Sequence, residues 1–142
     1  MCEYCGCRDI ALIGRLSNEH YGAVDDLGNL RRAIETGQKA LVDTAAAVMG
    51  DHLFPHNLSE EAGLFHELLD DEYFAPTVAD LIEEHHLMVT QVNRIAAGEW
   101  TVYPEFENSL RGHIDKEENG LFPACAVYID ADTWVAIDEL MR

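Results

Sequence analysis

Two stretches of the chain place a histidine and a glutamate four residues apart and then continue alike. The first begins at His56 and reads HNLSEEAGLFH. The second begins at His113 and reads HIDKEENGLFP, so both follow H-x3-E-E-x-G-L-F. Residues four apart share one face of an α-helix. Each stretch therefore presents an imidazole and a carboxylate together, and these are side chains that bind metal ions.

Two further histidines occur alone within helical patterns, and their surroundings match each other. His20 lies in NEHYGAV and His85 in EEHHLMV, so the two share E-H-x3-V. A lone histidine on an apolar stripe is often only a hydrogen-bonded core residue. Here, however, the chain reads as two successive pairs, each made of a lone-histidine helix followed by a His-x3-Glu helix.

The elements that must position these residues are helices, because the apolar residues recur at intervals of three and four and strand signals are nearly absent. We expect four long helices: one that ends at Gly37, one from near Gln38 that includes Pro55, one from Pro76 to Gly98, and one from near Pro104 to about Tyr128. Pro55 should kink or restart the second helix. A short closing helix should follow, with Asp132 as its cap.

Long helices joined by short connections predict an all-α, antiparallel four-helix bundle of up-down-up-down topology with a short C-terminal helix. We divide the chain into a cysteine-rich N-terminal segment, residues 1–9, and a bundle domain, residues 10–142. Gly63 and Gly120 take matching places in the two stretches. They either leave room for a small ligand or allow close helix packing.

All four histidines and both glutamates fall on apolar stripes of their helices. A buried carboxylate without a partner costs on the order of several kcal/mol, and we expect Arg111 and Lys116 to point elsewhere. Metal ions would neutralise both carboxylates. Four imidazoles and two carboxylates exceed what one tetrahedral zinc takes, and they suit two first-row ions, with iron preferred to manganese or zinc.

A ferritin-like carboxylate bundle is the main rival architecture. It uses two Glu-x-x-His pairs and a lone glutamate on each of the other helices. Only Glu83 and His86 have that spacing here, and the lone positions are histidines. The sequence therefore argues against it.

The order H, H-x3-E, H, H-x3-E over four helices resembles the hemerythrin-like (HHE) cation-binding family, from about His20 to Phe122. The resemblance implies a non-haem di-iron centre with oxo and carboxylate bridges that meets dioxygen, hydrogen peroxide or nitric oxide. Matched residue by residue, it implies two ligand pairs and one pair of bridges: His20 with His56, His85 with His113, and Glu60 with Glu117.

Two positions depart from the oxygen-carrying members of that family. Val89 stands where they have a second histidine, one turn after the first histidine of the third helix. Glu117 stands four residues after its histidine, where they have an aspartate at five. Four imidazoles, two bridging carboxylates and an oxo bridge leave about two of roughly twelve positions open on two octahedral irons. Open positions favour reaction with an oxidant over reversible oxygen carriage.

Other residues with metal-binding side chains lie outside this set of six. His52 precedes His56 by one turn and could be an extra ligand or a hydrogen-bond partner of a ligand. His66 and His86 fall off the ligand stripe. Cys2, Cys5 and Cys7 form a C-x2-C-x-C cluster, which contains only half of a usual zinc or iron–sulfur set. A redox or metal role for these thiols stays open beside that of an ordinary terminus.

The chain carries 27 acidic and 9 basic residues, a formal charge of −18. Such a charge argues against nucleic acid or an anionic membrane as a partner. No apolar run reaches the roughly 20 residues of a membrane span, and the N-terminus lacks a signal-peptide pattern, so we expect a cytoplasmic protein.

We therefore expect a protein that binds and reacts with small oxidants, either by binding or sensing dioxygen or by breaking down hydrogen peroxide. A catalase-like or peroxidase-like activity is one form of this hypothesis. The alternative is an iron-handling or iron/redox-sensing module that acts on a protein partner through Cys2, Cys5 and Cys7. A third possibility is an acidic helical adaptor without metal.

Overall fold

The computed structural model describes residues 6–141, and this part of the chain is helical almost throughout, with no strand. The helices are α1 (Ala11–Thr36), α2 (Lys39–Ala62), α3 (Leu64–Leu68), α4 (Ala75–Ala96), α5 (Tyr103–Lys116), α6 (Phe122–Tyr128) and α7 (Ala131–Leu140). Short 3-10 turns at Cys7–Asp9 and Trp100–Val102 precede α1 and α5. A π-helical segment, Glu117–Leu121, joins α5 to α6.

The four long helical segments form a closed bundle. α1 packs against α2, α2 against α4, α4 against α5, and α5 returns to α1. Because the connections between these helices are short, each helix reverses direction relative to the one before it. The predicted all-α bundle with a short C-terminal helix is confirmed.

Local chemistry accounts for the helix ends. Gly37 ends α1 in the left-handed conformation, with φ of 69°, and its N–H donates to the Ile34 carbonyl at 3.0 Å. A residue with a Cβ is strained in that conformation. Gly98 has φ of 105° just after α4, and a proline occupies the first turn of α4. These ends agree with the predicted ones.

Two local predictions were wrong. The predicted restart at Pro55 is wrong, because α2 continues through this residue and the interruption comes at Gly63, while a kink at Pro55 stays a prediction. The carbonyl of Asp51, which loses its donor to the proline, belongs to an exposed residue and can be hydrated, so the helix continues. The cap of α7 is Asp130, whose side chain accepts from the Thr133 N–H at 2.8 Å, and Asp132 lies in the first turn.

The apolar core consists of two clusters. The closing-helix cluster, at the α7 end, includes Phe65, Phe122, Trp134 and Ile137. The opposite cluster, at the other end of the bundle, includes Leu27, Leu30, Met49 and Phe106. Full burial of such a side chain stabilises the fold by about 1.5–3 kcal/mol. The two clusters can therefore offset the cost of a polar layer between them.

The order of residues along the helices puts the polar layer between the two apolar clusters. On α1 and α4 a histidine separates a residue of one cluster from a residue of the other, and after the histidines of α2 and α5 the closing-helix cluster resumes at Leu64 and Leu121. On α4, for example, His85 lies between Leu81 of the closing-helix cluster and Met88 of the opposite cluster. None of the helices in residues 6–141 is both long and apolar enough to cross a bilayer.

Candidate metal centre

All six residues that the sequence singles out are buried and meet in one layer. Their inner atoms form two overlapping groups in which possible ligand atoms lie within 4.8 Å of one another. These groups are His20, His56, Glu60 and Glu117 in one, and Glu60, His85 and His113 in the other. The imidazoles thus pair as the family resemblance implied, and Glu60 belongs to both groups.

In each of the four histidines of the layer, the nitrogen that faces the centre is Nε2. Glu117 Oε1 lies 3.1 Å from Nε2 of both His20 and His113. Glu60 Oε1 lies 3.0 Å from Nε2 of His56 and 3.4 Å from that of His85. Each carboxylate therefore contacts one imidazole from each pair, as a bridging ligand would.

Several inner atoms are buried without a hydrogen bond. His56 Nε2, both oxygens of Glu60 and Glu117 Oε2 have no hydrogen-bond partner within residues 6–141. The approach of His56 Nε2 to Glu60 is close but does not have hydrogen-bond angles. A buried polar atom left unpaired costs about 1–3 kcal/mol, and more when it is charged. Four such atoms converging on one point fit a site that cations complete.

The spacing of the donor atoms also fits ions. His85 Nε2 and His113 Nε2 lie 3.1 Å apart. Neighbouring ligands of one ion with bonds of about 2.1 Å lie roughly 3 Å apart. The bases of α5 do not compete for the carboxylates, because Lys116 pairs with Glu84 and Arg111 with Glu107. The expectation that these bases point elsewhere holds.

Without metal, the negative charge of the layer is balanced by protons on its imidazoles. Burial alone would lower the pKa of His20, but hydrogen bonds to Glu117 and Glu118 outweigh it and raise that pKa to about 9. Burial likewise opposes ionisation of Glu60, yet the positive charge of His56 and its neighbours holds the Glu60 pKa well below its usual range. Protons on imidazoles thus balance the carboxylates, and bound metal would replace them.

The π-helical segment positions two glutamates at once. The Phe122 N–H bonds to the Glu117 carbonyl five residues back, which widens the turn. Consecutive side chains diverge less in a wider turn, and both Glu117 and Glu118 are buried. Glu117 reaches the inner layer, whereas Glu118 contacts the outer nitrogen of His20. Such single π turns are frequent at functional sites.

His52 lies outside both groups of ligand atoms. Its side chain is 65% exposed and its Nδ1 is 2.7 Å from Asp26 Oδ2. The prediction of a ligand, or of a partner to a ligand, does not match this position. Residues four apart still differ by about 40° around the helix, which turns His52 to the outer edge of α2. His66, His86 and Glu83 are exposed, as the rejection of the ferritin-like pattern requires.

The cysteine cluster lies mostly beyond the described residues. Cys2 and Cys5 fall outside residues 6–141, so their proposed roles stay predictions. Cys7 is buried at the start of the 3-10 turn before α1. Cys125 is buried in the closing-helix cluster.

Two cavities reach the histidines from solvent. One of about 470 Å³ opens between α1 and α2, with Glu19 and His56 in its wall. Another of about 310 Å³ opens between α1 and α5, with His20 and Glu118 in its wall. A water molecule takes about 30 Å³ of liquid. Both cavities therefore have room for several water molecules against the outer side of His20 and His56.

The sequence reasoning missed the residues that surround the histidines on their outer side. These are the four glutamates Glu19, Glu61, Glu84 and Glu118, and the two phenylalanines Phe65 and Phe122. Their signal was present, because each lone histidine follows a glutamate and each His-x3-Glu stretch continues E-x-G-L-F. A glutamate next to a helical histidine is also typical of a solvated helix face, so this pattern alone does not identify a partner of the histidine.

A four-helix bundle with buried imidazoles and carboxylates converging between two apolar clusters defines the class of cation-binding helical proteins. The profile of the Hemerythrin HHE cation binding domain matches residues 11–125, and the chain belongs to that family. Comparisons with curated proteins and with solved structures found no significant match.

Proposed function

We propose that the protein holds two iron ions in the buried layer and uses them to bind and react with a small oxidant. The ligands would be the residues of the two groups: His20, His56, His85, His113, Glu60 and Glu117. Dioxygen, hydrogen peroxide and nitric oxide are the candidate oxidants.

The observation that carries the proposal is the set of unpaired buried atoms on His56, Glu60 and Glu117. An adaptor without metal would have no reason to keep two carboxylates with zero exposure beside imidazoles instead of an apolar layer. Glu60 and Glu117 each contact histidines of both pairs, which favours two ions over one.

The surroundings of the layer suit a reactive centre. Phe65 stacks on His85 with ring centroids 5.5 Å apart, and Phe122 stacks on His20 at 5.8 Å. These rings exclude water from the α3 and α6 sides, while the two cavities leave access beside α1. When bound, the irons would supply redox equivalents and open coordination positions to the oxidant.

Peroxide breakdown needs no further reductant. One hydrogen peroxide is reduced to two waters, and a second is oxidised to dioxygen with release of the two electrons and two protons that the first consumes. Fewer protein ligands than in oxygen carriers favour this reactive form, and reversible dioxygen binding is the other form of the same proposal.

The experiment is to load the protein anaerobically with ferrous iron, remove unbound metal and quantify what remains. The visible spectrum is then recorded as air is admitted and purged. We expect two irons per chain. A spectrum that reverses on purging supports dioxygen binding, whereas an irreversible change together with dioxygen release from added peroxide supports peroxide breakdown. A protein that retains no iron would contradict the proposal.

A matched pair of variants controls for adventitious binding. His85→Ala removes a buried candidate ligand, whereas His86→Ala removes the exposed histidine next to it. Only the first should lower the iron content. Equal iron in both variants would place the metal elsewhere.

A further inference from the structure

Every candidate ligand histidine has a glutamate on its outer nitrogen. The four Nδ1 atoms face carboxylates as follows: His20 with Glu118 at 2.8 Å, His56 with Glu19 at 2.8 Å, His85 with Glu61 at 3.2 Å and His113 with Glu84 at 3.0 Å. No two histidines share a partner. The contacts therefore form a complete set and are not one local ion pair.

These contacts all run in the same direction around the bundle. Glu19 of α1 reaches α2, and Glu61 of α2 reaches α4. Glu84 of α4 reaches α5, and Glu118, just after α5, returns to α1. Each helix thus holds the histidine of the next helix, and the fourth contact closes a ring.

The chemistry of a carboxylate fixes the imidazole proton. An ionised carboxylate only accepts hydrogen bonds, so each Nδ1 must donate its N–H to the glutamate. With the proton held at Nδ1, the Nε2 lone pair of a neutral ring points to the centre of the bundle.

We propose that Glu19, Glu61, Glu84 and Glu118 are positioning residues that form one closed ring and aim all four Nε2 atoms at the metal layer. The role of the ring in metal binding rests on the proposed function, whereas its hydrogen bonds are present without metal. Carboxylate partners of ligand histidines set ring orientation and raise ligand basicity, and their loss commonly weakens metal binding by about 10- to 100-fold.

The second half of the repeated motif serves this ring. Glu61 bonds His85 and Phe65 stacks on the same imidazole. In the other copy, Glu118 bonds His20 and Phe122 stacks on it. Thus H-x3-E supplies two inner side chains, and E-x-G-L-F holds the lone histidine of a neighbouring helix on two sides.

The glutamates are not ordinary solvated side chains. Glu118 is buried and also accepts a hydrogen bond from Ser17 Oγ at 3.0 Å. The Glu84 side chain is only 21% exposed, and its second oxygen pairs with Lys116. In an exposed ion pair, the lost side-chain entropy offsets most of the screened attraction between the charges. Burial of these glutamates reduces that screening.

Glu84→Ala tests the ring, with Glu83→Ala as its matched control one residue away and exposed. Long-range proton–nitrogen NMR on the metal-free protein reports the protonation and hydrogen bonding of each imidazole nitrogen separately. The ring predicts that Glu84→Ala changes the Nδ1 signal of His113 on the neighbouring helix and leaves the Nδ1 signal of His85, which Glu61 holds, as in wild type. Glu83→Ala should change neither.

Metal affinity gives the second readout, measured as competition for ferrous iron with a chromophoric chelator in the absence of air. We expect Glu84→Ala to weaken binding about tenfold or more. Glu84→Gln keeps an acceptor oxygen for Nδ1 without the charge, so it should restore the hydrogen bond of His113 Nδ1 and recover part of the affinity. Glu83→Ala should bind as wild type does.

The two readouts separate the two proposals. Unchanged His113 signals in Glu84→Ala would overturn the ring, whatever the iron does. Wild-type protein that binds no iron would overturn the proposed function, while a His113 response would still support the ring. A response of His85 in place of His113 would show a local effect and contradict the ring.

Discussion

Among residues 6–141, Glu60 and Glu117 are the two carboxylates with no exposure, and each has imidazole nitrogens within 3.4 Å. A lysine or arginine partner would have made them a structural ion pair. An imidazolium can release its proton to solvent when a metal ion binds its nitrogen at neutral pH, whereas a guanidinium cannot. The choice of partner therefore separates a metal layer from a buried salt bridge.

Glu60 belongs to both groups of ligand atoms, so its loss should affect both ions. We expect Glu60→Gln, which keeps the shape and removes the charge, to lower the iron content from two to below one per chain. Glu67→Gln on α3 is exposed and should retain two. Metal analysis after gel filtration measures both. A Glu60→Gln protein with full iron content would argue against a bridging role.

Cys125 should be chemically silent. Burial, followed by the nearby negative charge of Glu117, raises its pKa to about 12. The reactive form of cysteine is the thiolate. In a variant with Cys2, Cys5 and Cys7 replaced by serine, we expect no reaction with a disulfide reagent at pH 8.5 in the native state and one thiol per chain in denaturant. Rapid native-state labelling would contradict this.

The inner layer could be predicted from the sequence because its residues break an apolar stripe at a regular spacing. His113, for example, interrupts the run from Leu110 to Leu121. The outer glutamates do not break any pattern. Glu84 is one residue from exposed Glu83, and only the packing of α4 on α5 distinguishes them. Which glutamate meets which histidine depends on how the helices pack, and the periodicity of one helix does not predict it.

At the scale of the elements, the two copies of the motif depart from α-helix in different ways. The first copy stops at Gly63 and restarts as α3, whereas the second widens into a π turn and continues. The first departure follows the glutamate pair, whereas the second begins at Glu117 and includes the pair. The same motif, E-E-x-G-L-F, thus adopts two backbone conformations. α7 contacts α3 in the first copy, and Met141 lies against Gly63 but not against Gly120.

The matching glycines illustrate this difference. A Cβ on Gly63 would lie 2.0 Å from Met141 Cγ, whereas one on Gly120 would meet nothing within 4 Å. Gly63 thus allows close packing of α7. Gly120 is exposed, so neither glycine keeps space for a ligand at the centre.

The glycine substitutions should therefore have opposite effects. We expect Gly63→Ala to lower the free energy of unfolding by about 1–3 kcal/mol through overpacking. Gly120→Ala should raise it by about 0.4–1 kcal/mol by restricting the unfolded chain. Urea unfolding of the metal-free proteins measures both. Adding Met141→Ala to Gly63→Ala should recover part of the loss, and no recovery would place the strain elsewhere.

Pro55 shows what propensity rules leave out at this scale. Proline disfavours a helix interior because it frees the carbonyl four residues back and because its ring crowds that carbonyl. Exposure of Asp51 and Pro55 lets water bond the freed carbonyl and lowers the first cost, and exposure depends on which face of α2 the bundle covers. The helix pairing itself followed from the sequence, because short connections leave few ways to bury four apolar stripes.

In the molecule as a whole, both the buried polar layer and the negative surface charge lower the stability of the folded state, and cations should counteract both effects. The chain carries a charge of −18, and a large net charge destabilises a compact state through self-repulsion. Salt screens exposed charges but reaches a buried layer much less. Monovalent ions and specifically bound divalent ions should therefore stabilise the protein in different ways.

The thermal midpoint of unfolding can separate these two effects. Raising sodium chloride from about 10 mM to 150 mM should raise the midpoint of the metal-free protein modestly, and equally in wild type and Glu60→Gln, because both retain the exposed charges. Ferrous iron added without air should raise the wild-type midpoint further, in proportion to the logarithm of its concentration, since it binds the folded state. The variant should lack this second increase. An equal response of both proteins to iron would mean that the ion acts on the acidic surface and not in the buried layer.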